Sequence, residues 1–456
     1  MAPKFGTSGL RGLVVDLTPA LVADHIRAFV TACPTGGEVW VGQDLRPSSS
    51  GLAAVVLEAA RGMGLATVDC GAVPTPALAL AAMRAGAASV MVTGSHIPAD
   101  RNGLKFYTPA GEITKTDEAA ILAGLGASPR SLGPAPRLVA TAGPDWVARI
   151  VTAFGPEALS GLRLGVWAHS AVSRDLLAKA LGALGAETVS IGRSETFIPV
   201  DTEAVSPDAR AALARWAPGF DAILSTDGDG DRPLLADAAG QVVPGDILGQ
   251  ITAGVLEAET VVTPVSSNTG AELAGRFAHV LRTRIGSPHV IAAMEQAGGR
   301  VAGYEANGGF LLGFDAEGPA GPLPRLMTRD SLLPLVAVLA AARRAGGLAA
   351  LLAAEPVRFT ATGRLEQVET ARSQALLAGM EADPVTLAAF LAALGETGDR
   401  QDRTDGLRVT LASGRILHLR PSGNAPELRL YAEAESPRLA ARMLERGLAL
   451  LAVRLT

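Results

Sequence analysis

Three aspartates recur at every second position in STDGDGDRP, Asp227, Asp229 and Asp231, directly after the apolar run FDAILS. Carboxylates this close repel one another unless a cation neutralises them, and hard oxygen donors suit Mg2+ or Ca2+ better than zinc. The glycines between them let the backbone wrap tightly around an ion. The spacing excludes an EF-hand, because the twelfth position counted from Asp227 is Ala238 and not a glutamate. A solvated acidic turn is the plainer alternative, but loops usually mix signs and separate like charges. Arg232 follows the trio directly and can lie over phosphoryl oxygens.

A second constellation is TGSHIPADRNGLKFY, which places Ser95 and His96 just after the apolar run AASVMV and Lys105 shortly beyond. A serine hydroxyl is a poor nucleophile without a positioned base and an oxyanion hole, and TGSHI does not match G-x-S-x-G. Ser95 therefore reads as a turn residue or as a carrier of a phosphoryl group, and His96 as a hydrogen-bonding loop residue. A phosphoserine brings negative charge and three acceptor oxygens, so it needs cations around it. A divalent ion on the aspartates, with Arg11, Lys105 and Arg232, would supply them, provided the hydroxyl is open to substrate and near the trio.

Three further segments could bind anions or sugars. FGTSGLRG carries Arg11 among glycine, threonine and serine, a composition that holds anions through backbone N–H groups and a guanidinium, or else forms a flexible start. RPSGNAPELRLY sets Arg420, Ser422, Asn424 and Arg429 around Gly423, either as a phosphate cradle built on the bidentate arginine fork or as a hairpin with incidental arginines. GYEANGGF holds Glu305 and Asn307 among glycines, which suits two neighbouring sugar hydroxyls or a polar turn.

The elements that must position these residues follow from patterning. The chain has 456 residues, and at about 100–200 residues per domain this allows three or four domains. Short β-branched runs alternate with Ala/Leu-rich stretches over the first two-thirds: EVWVGQD, SSSGLAAVVLEAARGMG, LATVDCG, PALALAAMRAG, AASVMV. That rhythm predicts βαβ units and a mostly parallel sheet. SLGPAPRLVATAGPDW is a Pro/Gly-rich break. Beyond it come LRLGVWA, helices around Leu176–Leu184 and Pro207–Trp216, and FDAILS; Ser206 before Pro207 reads as a cap and first-turn pair. A third run begins at ETVVTPVSS and ends in a long Ala-rich helix from about Ser331. After Pro356 the pattern shifts to period two in GLRVTLASGRILHLRPSGNAPELRLYAEA, with ASGR as a hairpin turn, and closes on an amphipathic helix. The expected domains are 1–140, 141–250, 251–356 and 357–456.

Bulk composition bounds the partners. Hydrophobic residues make up 48% and charged residues 19%, enough for real cores and too little charge for disorder. A net charge of −5 gives no global field for nucleic acid. The two cysteines, Cys33 and Cys70, have no metal-site spacing and suggest a reducing compartment. No stretch of MAPKFGTSGLRG resembles a signal core, and no uninterrupted apolar run is long enough to span a membrane. The expectation is a soluble cytoplasmic chain, monomer or homodimer, with no nucleic-acid or membrane partner.

Taken together, these segments resemble the α-D-phosphohexomutases, the phosphomannomutase/phosphoglucomutase superfamily, over essentially the whole chain and in the expected order. TGSHIPADRNGLK is similar to the family's phosphoserine loop, usually T-A-S-H-N-P followed by N-G-x-K. DGDGDRP resembles its Mg2+ loop, GYEANGGF its sugar-specificity loop, RPSGNAPELR its distal phosphate loop R-P-S-G-T-E-P-x-x-R, and FGTSGLRG its N-terminal loop. The resemblance implies three related α/β domains with mixed sheets plus a C-terminal α+β domain, in a heart-shaped four-domain arrangement. It implies a transferable phosphoryl group on Ser95, with Mg2+ held by Asp227, Asp229, Asp231 and a phosphoserine oxygen. Lys105 becomes the candidate general acid/base, with His96 and His289 as weaker ones, and Arg11 and Arg232 belong to the transfer site. Glu305 and Asn307 stand at the family's Glu and Ser positions for the sugar, and Arg420, Ser422, Gly423, Asn424 and Arg429 surround the non-reacting phosphate.

Several positions depart from the family pattern. Gly94 and Ile97 replace the common Ala and Asn, Gly309 stands where many members carry His, Asn424 and Ala425 replace Thr-Glu, and RTRIGSPHV lacks a GH pair. The resemblance thus implies the reaction class more firmly than the sugar. The implied activity is reversible transfer between C1 and C6 of a hexose phosphate, mannose and/or glucose, with hexose 1,6-bisphosphate as activator and intermediate. That intermediate must turn round, which requires a cleft among the four domains that opens. The alternatives are a phosphoglucosamine mutase, a Mg2+-dependent sugar phosphatase, or a non-catalytic sugar-phosphate binding protein.

Overall fold

The computed structural model describes residues 3–6, 9–422 and 426–455. The chain forms two compact units, the first taking residues up to Val261 together with Gly286–Leu352, the second taking Val262–Ile285 and residues from Ala353 on.

In the first unit, one sheet runs in the order Lys4–Gly6, Gly9–Leu13, Arg101–Thr108, Ala88–Val92, Glu38–Gln43, Ala66–Ala72, Arg137–Leu138. The strands from Ala88–Val92 to Arg137–Leu138 pair in parallel, as the βαβ rhythm predicts. The sheet is nonetheless mixed and not mostly parallel, because Arg101–Thr108 pairs antiparallel with Ala88–Val92 and with Gly9–Leu13. The cause is the connection: the chain turns back across residues 93–100, too short for the crossover that a parallel neighbour needs. FGTSGLRG correspondingly contributes two strands, so Arg11 sits on a strand, with its Cα opposite Gly103. Ala88–Val92 is buried along its full length, which explains an apolar run without alternation.

A second sheet orders Glu187–Ile191, Arg163–Trp167, Ala222–Thr226 and Pro233–Asp237, the first three parallel and the last antiparallel. Its helices begin where the caps predict: Ser206 Oγ accepts from Ala209 N at 3.2 Å, ahead of the helix Pro207–Trp216. Val301–Tyr304, Phe310–Leu312 and Leu326–Asp330 form antiparallel neighbours in turn. The helix Leu332–Ala345 follows, and its first eleven residues are all buried, which an Ala/Leu/Val surface on every side requires.

The second unit carries an antiparallel sheet ordered Phe359–Glu366, Glu427–Ala434, Ile416–Pro421, Leu407–Leu411, Gly398–Asp402. Gly414 adopts φ +78° in the ASGR turn, a conformation glycine enters freely. The helices Thr370–Ala382, Pro384–Leu394 and Pro437–Leu455 add side chains to its core. Among the described residues no single helix is long and apolar enough to cross a membrane; one bent pair, Thr370–Ala382 with Pro384–Leu394, passes by length and composition together, and its buried leucines belong to that core.

Candidate active site

Beyond Val92 the backbone turns sharply, and Ser95 takes φ +54°, a left-handed conformation that costs a non-glycine residue about 1–3 kcal/mol unless its surroundings hold it. They do. Thr93 Oγ1 accepts from Ser95 N at 2.7 Å, and Arg46 Nη2 donates to Ser95 O at 2.9 Å. The same guanidinium donates to Ile97 O, Pro98 O and Arg101 O at 2.6, 2.6 and 2.9 Å, and its Nε to Asp44 Oδ2 at 3.1 Å. A Cβ on Gly94 would lie 2.6 Å from Arg46 Cζ, so the strut and the glycine that departs from the family's alanine go together. Sequence reasoning missed Arg46; its signal was an arginine in a small polar loop after a buried strand, beside Asp44.

The aspartates leave the end of the fully buried strand Ala222–Thr226. All three are buried, and each offers an oxygen within 4.8 Å of the others. A Cβ on Gly228 would sit 2.6 Å from Ser95 O, so the two loops touch backbone to backbone. Ser95 Oγ donates to Asp227 Oδ2 at 2.5 Å. Lys105 Nζ bridges Asp229 Oδ2 at 2.6 Å and Asp231 Oδ2 at 2.5 Å, and Thr75 Oγ1 donates to Asp229 Oδ2 at 2.6 Å. Burial, with Asp229 and Asp231 adding to it, holds the Asp227 carboxyl well above the usual carboxylate range. Burial pushes Asp229 the same way, but the Lys105 charge and the hydrogen bonds outweigh it and hold that group below the range. Asp229 Oδ1 and Asp231 Oδ1 are buried without a hydrogen-bond partner among the described residues. Orphaned carboxylate oxygens are costly, and an all-oxygen set of this kind fits a hard divalent cation such as Mg2+.

Ser95 thus lies beside the trio, but it is fully buried, which corrects the expectation of an open hydroxyl. Around it His96, Ile97, Arg11 and Arg232 keep some exposure. His96 Nδ1 lies 3.3 Å from Ser95 Oγ and accepts from Arg232 Nη1 at 2.9 Å. Burial, then the charges of Arg232 and Arg11, push the His96 imidazole down to about 2. A neutral ring whose Nδ1 already accepts from Arg232 holds that arginine beside Ser95 rather than taking up a proton near neutral pH. Arg232 N donates to Asp227 Oδ1 at 3.2 Å, and its Nε lies 3.9 and 3.8 Å from Asp227 and Asp231. Burial, then Arg232 and Arg329, push the Arg11 guanidinium down to about 10, a sign that these cations converge. His289 is half-buried on the helix Ser287–Ala297.

After the strand Val301–Tyr304 the sugar-loop candidates close a tight turn: Gly308 N donates to Glu305 O at 2.9 Å, and Gly309 N to Asn307 Oδ1 at 3.0 Å. Glu305 and Asn307 are both buried, and Thr202 Oγ1 holds Asn307 O at 2.8 Å. Glu305 Oε2 meets Arg329 Nη1 at 3.3 Å, and Arg329 Nη2 lies 2.9 Å from Asp231 Oδ2. Arg329, also missed in the sequence, therefore ties the sugar loop to the aspartate loop; TRDS before an apolar helix gave a faint signal, an arginine inside a strand.

In the second unit, Arg420 and Arg429 are Cα partners on adjacent strands. Arg420 Nε donates to Asp405 Oδ2 at 2.7 Å, and Arg429 Nη2 to Glu427 Oε2 at 3.3 Å. Ser422 is buried, with its N donating to Glu427 O at 2.8 Å. Gly423 and Asn424 lie outside the described residues.

Three family profiles match this chain: phosphoglucomutase/phosphomannomutase alpha/beta/alpha domain I over residues 2–128, domain III over 244–359, and the C-terminal domain over 366–449. The sequence is 46% identical over 472 residues to a phosphomannomutase of Sinorhizobium fredii, covering 99% of each chain. It is 41% identical over 450 residues to a phosphomannomutase of Salmonella muenchen, covering 97% of this chain and 94% of the other. A phosphoglucosamine mutase of Acidothermus cellulolyticus is 33% identical over 474 residues, covering 97% and 94%. In fold, the chain resembles a phosphoglucomutase/phosphomannomutase family protein from Burkholderia thailandensis, with TM-score 0.78 and 23% identity over 98% of this chain and 96% of that one.

Proposed function

The chain belongs to the phosphoglucomutase/phosphomannomutase family, within the α-D-phosphohexomutases, and from that premise we propose that it interconverts the 1- and 6-phosphates of mannose, and of glucose beside it, through phospho-Ser95. Mutase action on a hexose phosphate follows from the relatives that span the whole chain. The preference for mannose rests on the two relatives above 40% identity, both phosphomannomutases; glucosamine phosphate is the substrate class of the more distant ones. One observation carries the reading: Ser95 Oγ stands 2.5 Å from Asp227, inside a buried set of carboxylates and guanidinium groups.

Each residue has a task in this chemistry. Asp227, Asp229 and Asp231 would hold Mg2+, which when bound draws charge from phosphoryl oxygens. Arg46 fixes the backbone that presents Ser95, and His96 holds Arg232 beside it. Arg11 and Arg232 bind the phosphoryl oxygens, where catalysis is mostly positioning and electrostatics. Lys105 holds the proton at Nζ that passes between the two exchanging oxygens. Glu305 and Asn307 grip a pair of ring hydroxyls in either orientation of the bisphosphate. Arg420, Ser422 and Arg429, with Gly423 and Asn424, grip the phosphate that is not reacting. The partly exposed His96 and Arg232 must shift to admit the substrate.

Coupled assays with mannose, glucose and glucosamine 1-phosphates, in Mg2+ and a trace of hexose 1,6-bisphosphate, test the reading. It expects isomerisation to the 6-phosphate, fastest with mannose. Steady release of inorganic phosphate without isomerisation would instead make the chain a phosphatase.

A further inference from the structure

Arg329 lies on the buried strand Leu326–Asp330, and both of its neighbours are anchored. Thr328 Oγ1 donates to Glu112 Oε1 at 3.0 Å, and Asp330 accepts from Arg149 Nη1 at 3.0 Å and from Trp146 Nε1 at 3.1 Å. The backbone at 329 is therefore held in place from both sides. Its side chain, 3% exposed, runs across the face of Gly309. A Cβ at 309 would stand 2.7 Å from both Cγ and Cδ of Arg329, so the arginine stem fills the space a larger residue there would claim.

The guanidinium is only partly used. Nη1 donates to Glu305 and Nη2 lies 2.9 Å from Asp231 Oδ2 in an ion pair off the line of a hydrogen bond, whereas Nε has no hydrogen-bond partner among the described residues. A buried arginine N–H without a protein partner is unfavourable unless water or a ligand takes it. What the ligand must be follows from the company. Arg11 and Arg232 lie within electrostatic reach of Arg329, and Lys105 shares Asp231 Oδ2 with it. Such a convergence of cations on the aspartates beside Ser95 suits phosphoryl oxygens, for which the planar guanidinium fork is well matched.

We propose that Arg329 is a catalytic residue of the transfer step: its Nε–H, and the Nη2 N–H that Asp231 does not engage, bind oxygens of the phosphoryl group in transit while Nη1 holds Glu305. One rigid side chain thereby registers the phosphoryl group against the sugar hydroxyls. In that step the bond from phosphorus to Ser95 Oγ breaks as a sugar hydroxyl oxygen bonds to the same phosphorus. The hydroxyl proton leaves for a neighbouring group and is returned to Ser95 Oγ, so Arg329 neither gains nor loses one. The inference rests on the mutase reading above.

The test uses the full chain carrying Arg329→Met and Arg329→Lys, assayed at steady state and in a single turnover of phospho-Ser95 with mannose 1-phosphate. Arg329→Met is expected to lower kcat and the single-turnover rate together by about 10²–10³-fold, with KM changed by less than about threefold. Added guanidinium is expected to recover part of the loss, which a purely structural strut would not allow. If Arg329→Met fails to fold, Arg329→Lys is read in its place, since it keeps the charge near Asp231 and loses the fork; a loss above about tenfold in the single-turnover rate supports the role. A folded variant whose transfer rate stays within about threefold of the native chain, or whose loss lies wholly in KM, overturns it. A native chain that does not isomerise hexose phosphates at all refutes the underlying mutase reading, a result distinct from an active native chain with an indifferent Arg329 variant.

Discussion

At the proposed transfer site of the first unit two cations are deep and doubly held: Lys105 is 5% exposed and touches two aspartates, and Arg329 is 3% exposed between Asp231 and Glu305. On the hairpin of the second unit Arg420 and Arg429 are 17% and 37% exposed, and each leans on a carboxylate close by, Asp405 and Glu427. Under the proposed function the contrast separates two uses of a guanidinium. Buried and preorganised, it acts in a low dielectric on charge that shifts during a reaction. Partly solvated, it grips an anion that must later be let go, and salt weakens the grip.

The largest effects should come from the buried side. Ser95→Ala removes the acceptor and is expected to abolish isomerisation, and Asp229→Asn, which removes one of the two carboxylate charges that Lys105 bridges, should lower turnover by about 10³-fold or more in the coupled assay. Arg46→Met probes the same region through folding. It leaves Asp44 buried without its cation and frees Ser95 from its left-handed turn, so denaturant titration should register a loss of about 3–5 kcal/mol.

Arg420→Ala would sharpen the comparison from the exposed side. It should raise KM for the hexose phosphate by about tenfold with kcat little changed, and the deficit should narrow as ionic strength rises. A kcat loss as large as that of the buried variants would erase the distinction between gripping and transferring.

How much of this was legible in the sequence depended on whether the chemistry was local. Asp227, Asp229, Asp231 and Arg232 fall in one short loop, so their types and spacing announced a cation and a phosphoryl group. The helix Pro207–Trp216 was legible for the same reason, since its cap and first-turn proline adjoin. Arg46 and Arg329 were not, because their partners are far along the chain: Arg46 serves carbonyls at Ser95–Arg101, and Arg329 serves Asp231 and Glu305. The direction of Arg101–Thr108 was also missed, since an apolar run shows burial but not which way a strand runs. The burial of Ser95 was hidden likewise, being produced by two loops meeting at Gly228.

A pH dependence of stability is expected from the second unit. His418 is buried against Tyr431 with Nε2 donating to Asp405 O at 2.6 Å, and burial pulls its imidazole down from 6.5 to about 4. The unfolded chain then binds more protons than the folded one between those values. Stability is whole above about pH 6.5 and falls as the pH drops toward 4, by at most about 3 kcal/mol for this group. Denaturant midpoints at pH 7 and pH 5 should differ more in the native chain than in His418→Phe.

The most direct test of the central claim is the intact mass of the native chain and of Ser95→Ala after incubation with Mg2+ and glucose 1,6-bisphosphate. The native chain should gain the mass of one phosphoryl group, lost again on adding a hexose monophosphate, and Ser95→Ala should gain none. An adduct on both proteins, or on neither while isomerisation proceeds, would contradict Ser95 as the group that carries the phosphoryl unit.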